Sequence, residues 1–307
     1  MTAWAGEAAR GRGLAVSHLI CRNRWRALAW AGQDWAGTGW RRKGLSAGVT
    51  ADLLSARWDP GDAALAAVWL SGGFEVEYAE PGGREVRARL DRLHRVDLGS
   101  CLPVRSFPSY KGQRNYPGWF WSATMGKHVG FESWVERGHL VALDFAPEVT
   151  AIVSQPFWLC WRTPAGKPAR HAPDFFARLA GGGALVIDSR PRDVADHDDR
   201  QAFAATRRAC EMLGWTYAVC GEMDPVVAAN QRWIAGYRHP RCGDPATEAR
   251  LLEAFGPGLP LMEGAEAAGD PLATLPVLFH LMWRRQLVAD LSLVLSHRTV
   301  VRRAGRG

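Results

Sequence analysis

The stretch Leu185-Val186-Ile187-Asp188-Ser189-Arg190-Pro191 (LVIDSRP) decides the fold, because three aliphatic residues run directly into an aspartate and an arginine. The apolar run predicts a buried strand. Residues i and i+2 of a strand point to the same face, so Asp188 and Arg190 are expected to emerge side by side. A solvated ion pair at the protein surface explains that pattern and contributes little stability. Half of an active site explains it as well, and that interpretation requires partner residues elsewhere in the chain.

The segments around this strand predict an α/β fold with a central mixed sheet. A glycine turn at 181–183 joins LVIDSRP to a preceding strand in "RHAPDFFARL", so the two strands are expected to be antiparallel neighbours. Helices are predicted from Ser133, over about 196–213, and in "PVVAANQRWIAGY". The remaining strand candidates are two hairpins, "FEVEYAE" with "REVRARL" and "GWFWSAT" with "HVGF", and the single strands "VTAIVS", "FWLCWRT" and "WTYAVC".

The 307 residues divide by pattern into three parts. Residues 1–66 carry tryptophans every five positions from 25 to 40, a period of neither helix nor strand, which predicts a disordered extension without an assigned function. A tryptophan-rich DNA-binding arm is the alternative. Residues 67–240 hold the α/β core. Residues 241–307 contain amphipathic helices followed by two short alternating segments, which favours a winged-helix-like module over a plain helical tail.

Composition is that of an ordinary globular protein, with 47% hydrophobic and 22% charged residues. The net charge of +7 indicates an anionic partner such as nucleic acid. None of the six cysteines forms a CxxC pair or a zinc-type spacing with histidine, which argues against a zinc ribbon or a disulfide framework. No apolar run reaches the length of a membrane span, so we expect a cytoplasmic protein without membrane contact.

Three carboxylates are candidates for one site. Glu136 lies on the same helical stripe as Leu140 and Leu143, at an edge that faces the core, although Ser133 and Glu136 also match a capping box. Asp174 follows Pro173 at a strand start, which is also a common turn arrangement. Asp188 ends the neighbouring strand. Carboxylates held close together repel unless a cation lies between them, and Mg²⁺ prefers such oxygen ligands.

These residues resemble a known superfamily. "PD" at 173–174 and "DSR" at 188–190 look like the PD-(D/E)xK nuclease core, with Arg190 in the position of the lysine. Within it, the chain is similar to the TnsA-like endonuclease subunits of heteromeric transposases, over about residues 74–240 and more loosely over 241–303. The matching segments are "SWVERGHLVALDF", "EVTAIVSQP", "APDFF", "LVIDSRP" and "WTYAVCGEMDPVVAANQRWI", and "RSFPSYKGQRNYPGWFWSATMGKHVGFESWVE" resembles the actinobacterial branch.

The resemblance implies a restriction-endonuclease-like core over residues 67–240 and a Mg²⁺-dependent DNA endonuclease, with Mn²⁺ as an alternative ion. Glu136, Asp174 and Asp188 would hold the metal, and Arg190 would stabilise charge on the phosphate. The family has glutamine at the position of Asp188, and aspartate restores the commoner superfamily ligand. It has lysine at the position of Arg190, so arginine puts activation of the attacking water in doubt.

The resemblance also implies partners. The subunit would cut the 5′ ends of a mobile element, on double-stranded DNA at the transposon ends, while a separate DDE-type transposase subunit cuts and joins the 3′ ends. An AAA ATPase regulator would dock on the C-terminal module. A catalytically weak or inactive subunit that binds DNA and partners is the first alternative, and a stand-alone restriction or repair nuclease is the second.

Basic residues suggest where DNA would bind. Lys111, Arg114 and Lys127 precede the helix of Glu136 and are candidates to contact the DNA backbone, with a solvated basic loop as the alternative. Arg284 and Arg285, at the end of the last predicted helix, are candidates in the C-terminal module, together with Arg298, Arg302 and Arg303 in its wing. His171 is expected to be a structural histidine, and the acidic run at 193–199 to lie in the first turn of the following helix.

Overall fold

The structure is a computed structural model that describes residues 50–59, 73–107, 116–163 and 165–305. All of them belong to one compact unit, Leu45–Gly307. The fold is mixed α/β, with a mixed sheet flanked by helices, as the sequence pattern predicts. None of the helices in these ranges is long and apolar enough to cross a membrane.

The central sheet of the described residues has five strands in the order β1-β11-β10-β9-β6. LVIDSRP supplies its middle strand, β10 (Ala184–Ser189), which is parallel to β11 (Thr216–Cys220) and antiparallel to β9 (Phe175–Leu179). β6 (Val149–Ser154) pairs with β9, and β1 (Arg57–Trp58) pairs with β11. Ala184 to Asp188 are each at most 2% exposed, because both faces of the strand are covered. The predicted antiparallel neighbours are confirmed.

Helices cover both faces of this sheet. Leu140 and Leu143 of α2 (Trp134–Phe145) pack with Phe175 and Ile187 in one core cluster, which also receives α4 (Pro225–Ile234). Phe203 of α3 (His197–Leu213) packs on the opposite face. Residue alternation along β10 therefore sends Ile187 and Ser189 toward α2, and Val186 and Asp188 toward α3.

The two predicted hairpins are confirmed. β2 (Glu75–Ala79) and β3 (Glu85–Arg89) pair antiparallel and belong to a second sheet of the described residues, with β7 (Trp158–Arg162) and β8 (Pro168–His171) in the order β3-β2-β7-β8. β4 (Gly118–Ser122) and β5 (Lys127–Phe131) form the other hairpin, directly before α2. β8 and β9 are joined by Ala172, Pro173 and Asp174, so the second sheet leads directly into the candidate site.

Part of the region predicted to be a disordered extension is ordered. Residues 50–59 form α1 (Thr50–Ser55) and the edge strand β1. Leu53 is fully buried in the α2-side core, and Trp58 is buried on the α3 side and donates Nε1–H to the carbonyl of Arg190 at 2.7 Å. The prediction is therefore wrong for residues 50–59, because their apolar side chains complete the sheet. Residues 1–49 and 60–66 lie outside the described residues.

The C-terminal residues form three helices, α5 (Pro245–Ala254), α6 (Leu261–Ala268) and α7 (Pro271–Trp283). Three short strands in this part of the structure form an antiparallel sheet in the order β12-β14-β13. The strands are β12 (Leu259–Pro260), β13 (Leu287–Val288) and β14 (Val300–Arg303). α7 is buried over most of its surface, and Trp283 contacts the ring of Phe145 in α2 at 5.1 Å. The two short alternating segments predicted after the helices contain β13 and β14, which pair antiparallel, whereas α6 and β12 were not predicted.

Candidate active site

The end of the central sheet brings Asp174 beside Asp188. Ile187 pairs with Phe175 in the β9–β10 ladder, so the next residues outward, Asp188 and Asp174, are opposite one another. The Oδ2 atom of Asp174 accepts a hydrogen bond from the backbone N–H of Ser189 at 2.6 Å. Asp174 is therefore fixed by the neighbouring strand, whereas the turn interpretation would have placed its bond within its own loop.

The pKa of Asp174 responds to the charges of both other candidate carboxylates, Glu136 and Asp188. This pKa is raised well above the ordinary value, first by burial and then by the negative charges of Glu136 and Asp188. The hydrogen bond from Ser189 and the charge of Arg105 oppose that shift without cancelling it. Asp174 therefore interacts with the carboxylates of Glu136 on α2 and of Asp188 on β10, and its ionised form is unfavourable without a compensating cation.

Glu136 belongs to this group and also contacts the residues at the start of its own helix. Ser133 Oγ accepts the Glu136 backbone N–H at 3.2 Å and donates to Oε1 at 2.9 Å, while the Glu132 N–H donates to Oε2 at 2.7 Å. Burial is the main cause that raises the pKa of Glu136, and the neighbouring Glu132 adds to it. The Ser133 half of the predicted capping box is present, but the carboxylate accepts the N–H of Glu132 where a capping box would use that of Ser133. Its oxygens keep further lone pairs that a cation could use.

The side chain of Asp188 lies on the α3 face of the central sheet and is only 2% exposed. Its Oδ1 lies 2.9 Å from Nε2 of His171, and its Oδ2 accepts a hydrogen bond from the hydroxyl of Tyr217. Burial, followed by the charge of Asp188, raises the pKa of Tyr217 well above its usual value, so the phenol stays protonated as a donor. His171, predicted to be structural, is therefore a direct partner of a candidate site residue.

Arg190 reaches the start of α3. Its Nη2 donates to Oδ1 of Asp199 at 2.6 Å, and Asp199 also closes the capping box with Asp196. The prediction for the acidic run at 193–199 is confirmed for its second half, since Asp196 caps α3 and Asp198 and Asp199 lie in its first turn, whereas Asp193 lies in a separate 3-10 turn. The hydrogen bond to Asp199 is the largest cause that raises the pKa of Arg190, and Asp174 contributes to the same shift. Arg190 thus pairs with Asp199, whereas the surface interpretation paired it with Asp188.

His139 was not identified from the sequence. It is fully buried one turn after Glu136, with Nδ1 2.8 Å from Ser189 Oγ and Nε2 2.8 Å from the carbonyl of Gly221. Burial lowers its pKa to about 4, so the ring is neutral at neutral pH. A carbonyl can only accept, so Nε2 carries the proton and Nδ1 accepts from Ser189. His139 thereby joins α2 to the strand whose N–H holds Asp174.

The donor set fits a hard divalent cation at Asp174 and Glu136. Both are oxygen donors with raised pKa values, and Mg²⁺ needs only one or two protein carboxylates beside water and phosphate oxygens. Asp188 does not fit in the same way, since its side chain lies on the α3 face of the sheet, away from α2, and is enclosed with His171 and Tyr217. Within the described ranges, no group of three or more histidine, cysteine, aspartate and glutamate side chains is arranged to hold an ion. The predicted convergence of all three carboxylates on one ion is therefore not met.

The predicted DNA-binding residues have different environments. Lys111 and Arg114 lie outside the described residues, and Lys127 is exposed on β5. Arg284 is exposed, with Nη1 3.8 Å from Oε2 of Glu248. Arg285 stacks on the ring of Phe145 at 4.8 Å, and burial lowers its pKa, which argues against a contact of Arg285 with DNA.

Arg105 is a basic residue of the site that the sequence did not identify. It forms an ion pair with Glu132, and its charge opposes the raised pKa of both Glu136 and Asp174. It also lines an open cleft of about 830 Å³ over the second sheet, where the guanidinium of Arg170 stacks on Trp158 at 4.3 Å. Arg105 therefore connects this cleft with the carboxylates of the candidate site.

No family model and no curated protein is similar to this chain by sequence.

Proposed function

We propose that the protein is a metal-dependent DNA endonuclease with a PD-(D/E)xK core, acting as the TnsA-like subunit of a heteromeric transposase. One observation carries the proposal: Asp174 lies opposite Asp188 at the end of the central sheet, where burial and the charges of Glu136 on α2 and of Asp188 raise its pKa. These are the three positions to which the resemblance assigns acidic or polar active-site residues. Divalent cations bind at such sites because they relieve repulsion between carboxylates.

In this proposal Asp174 and Glu136 hold the ion. A bound Mg²⁺ polarises a phosphate and lowers the pKa of a bound water. The chain's own residues position these ligands: the Ser189 N–H fixes Asp174, and neutral His139 fixes Ser189. The Ser133 hydroxyl and the Glu132 N–H fix Glu136. Arg190, whose charge interacts with Asp174, is placed to stabilise negative charge on the phosphate.

Arginine in the lysine position has a chemical consequence. Its guanidinium stays protonated at any physiological pH, so it cannot take a proton from water, although it can clasp two phosphate oxygens. In this structure it is also engaged by Asp199. We therefore expect slow cleavage by the isolated subunit and faster cleavage with the transposase partner present.

The C-terminal residues support a winged-helix module. Three helices and a three-stranded sheet in the order β12-β14-β13 have the arrangement expected of one. α7, in the place of a recognition helix, is apolar and largely buried, so it is not free to enter a DNA groove. The exposed Arg298, Arg302 and Arg303 leave the wing as the surface for DNA or for the ATPase regulator.

A single-turnover nicking assay tests the function. DNA carrying a transposon end is incubated with Mg²⁺ or Mn²⁺, with and without the transposase subunit. Glu136→Gln and Asp174→Asn should each reduce nicking by roughly 10² or more, the scale of removing one preorganised electrostatic group. Glu253→Gln, at an exposed site on α5, is the matched control and should cut at the wild-type rate. Equal cutting by all four proteins would exclude this site as the nuclease centre.

A second function has specific support. Asp188 is occupied by His171 and Tyr217, and Arg190 by Asp199, which favours a catalytically weak or inactive subunit that binds DNA and partners. The same assay separates the two functions. Stable DNA and partner binding with no nicking under any condition would select the non-catalytic subunit.

A further inference from the structure

Gln155, at the end of β6, combines a strained backbone with an unsatisfied side chain. Its φ of 46° lies in the left-handed region, which glutamine rarely adopts, and Pro156 follows it, which further restricts the residue before it. The residue is 1% exposed, yet neither Oε1 nor Nε2 has a hydrogen-bond partner. The hydroxyl of the preceding Ser154 is also buried without a partner.

Both features cost folding free energy. A buried amide that gives up water without gaining a partner is unfavourable, and so is a left-handed backbone at a residue with a side chain. An apolar side chain would avoid the first cost, and glycine would avoid the second. Strained residues cluster at active sites and ligand-binding sites, and a water or an ion is one explanation for a buried polar group without a protein partner.

The backbone of Gln155 is built into the candidate active site. Its N–H donates to the carbonyl of Asp174 at 2.9 Å, and its own carbonyl accepts the N–H of Val104 at 3.0 Å. Val104 directly precedes Arg105, the cation that interacts with Glu136 and Asp174. Gln155 is therefore hydrogen-bonded on one side to the central carboxylate residue and on the other to the segment that carries its nearest cation.

We propose that the amide of Gln155 is a binding group for the hydrated divalent ion held by Asp174 and Glu136, and that its oxygen accepts a hydrogen bond from an ion-bound water. This inference rests on the proposed function. Mg²⁺ and Mn²⁺ retain several waters when only one or two carboxylates bind them, and those waters need acceptors. A neutral amide provides an acceptor without adding a fourth negative charge to the group formed by Glu136, Asp174 and Asp188.

The test compares Gln155→Met with Gln231→Met. Methionine has a similar length and no amide, so Gln155→Met should unfold at the same temperature as the metal-free wild type or higher. Its Mn²⁺ dissociation constant, measured by calorimetry on the full chain, should rise about 10- to 100-fold, the range for losing a group that holds a ligand or water of a metal site. Gln231 is equally buried and its Oε1 also lacks a partner, but its Nε2 donates to Asp52 at 3.2 Å, a hydrogen bond that methionine cannot make. Gln231→Met should therefore lower the unfolding temperature and leave Mn²⁺ affinity unchanged.

Gln155→Glu keeps the acceptor oxygen and should bind Mn²⁺ at least as tightly as the wild type. Two results overturn the inference: an unchanged Mn²⁺ dissociation constant in Gln155→Met, or a lower unfolding temperature in that variant without metal, which would show that the amide already has a structural partner. If the wild type itself binds no Mn²⁺, the metal site of the proposed function fails together with the inference. Wild-type binding that Gln155→Met leaves intact removes the inference alone.

Discussion

Replacing Asp174 by asparagine should stabilise the metal-free protein at neutral and alkaline pH. Asparagine keeps a carbonyl oxygen that can accept the Ser189 N–H, and it removes the charge that burial, Glu136 and Asp188 disfavour. Because the folded-state pKa of Asp174 is raised, the folded protein holds a proton that the unfolded chain has already released. The stability of the wild type therefore falls as the pH rises from the ordinary aspartate pKa to the raised one.

The size of the expected change in the free energy of unfolding follows from this coupling between proton binding and folding. Each proton that the folded state binds in excess gives a limiting slope of about 1.4 kcal/mol per pH unit. Asp174 is partly accessible to solvent, which reduces the free-energy penalty of its charged form. We therefore expect Asp174→Asn to raise the free energy of unfolding at pH 8 by at least about 1 kcal/mol. In a domain of this size that gain raises Tm by roughly 2–4 °C. Chemical denaturation at pH 5 and pH 8 in the presence of a chelator measures it, and the gain should shrink at pH 5.

Asp144 provides the matched comparison. It is also a buried aspartate, but it accepts hydrogen bonds from the Ser122 hydroxyl and from the backbone N–H groups of Ala123 and Thr124. Asparagine has one acceptor oxygen where the carboxylate has two, so Asp144→Asn should lose about 1–3 kcal/mol. The two substitutions should therefore have opposite signs. A loss of stability at pH 8 in Asp174→Asn similar to that in Asp144→Asn would refute the view that the charged form of Asp174 is unfavourable in the folded protein.

Three further results are expected. Arg190→Lys should keep or raise the nicking rate, while Arg190→Ala should lower it by roughly 10² or more. If Arg190→Ala loses stability but keeps the wild-type nicking rate, the role of Arg190 is only its ion pair with Asp199 of α3. Tyr217→Phe should lower the free energy of unfolding by about 1–3 kcal/mol, because the buried Oδ2 of Asp188 loses its hydrogen-bond donor. An unchanged urea concentration at the unfolding midpoint would contradict that hydrogen bond. Deleting residues 1–49 should leave Tm unchanged. Deleting residues 1–59 should lower Tm by several degrees, since the buried side chains of Leu53 and Trp58 and the edge strand β1 are then lost.

The order of elements was predictable because it depends on local patterns. Apolar runs bounded by glycine and proline marked the strands on either side of the turn at 181–183, and Ser133 marked the start of α2. The placement of Asp174 opposite Asp188 followed from counting residues across that turn. The role of the acidic run before α3 was predictable for the same reason, since Asp196 caps the helix that begins at the next residue.

The partners of the site residues were not predictable, because they come from distant parts of the chain. His139 meets Ser189 across fifty positions, and Tyr217 meets Asp188 across twenty-nine. Neither histidine nor tyrosine lies in a motif that signals such a contact. The short ordered segment at 50–59 was missed because its apolar residues are too few to show a period, although Trp58 packs against the central sheet.

The difference between Asp188 and Arg190 shows why strand periodicity alone could not settle the chemistry. Both side chains lie on the α3 face of the sheet, as alternation requires, but Asp188 is two residues deeper in the strand. At that depth Tyr217 and His171 surround it, whereas Arg190 lies where the strand ends and α3 begins. One face therefore holds a buried carboxylate that is already hydrogen-bonded and a half-exposed guanidinium that a phosphate could approach. If the protein is the proposed nuclease, its catalysis would depend on whether DNA or a partner draws Arg190 away from Asp199, with which it is paired in this structure.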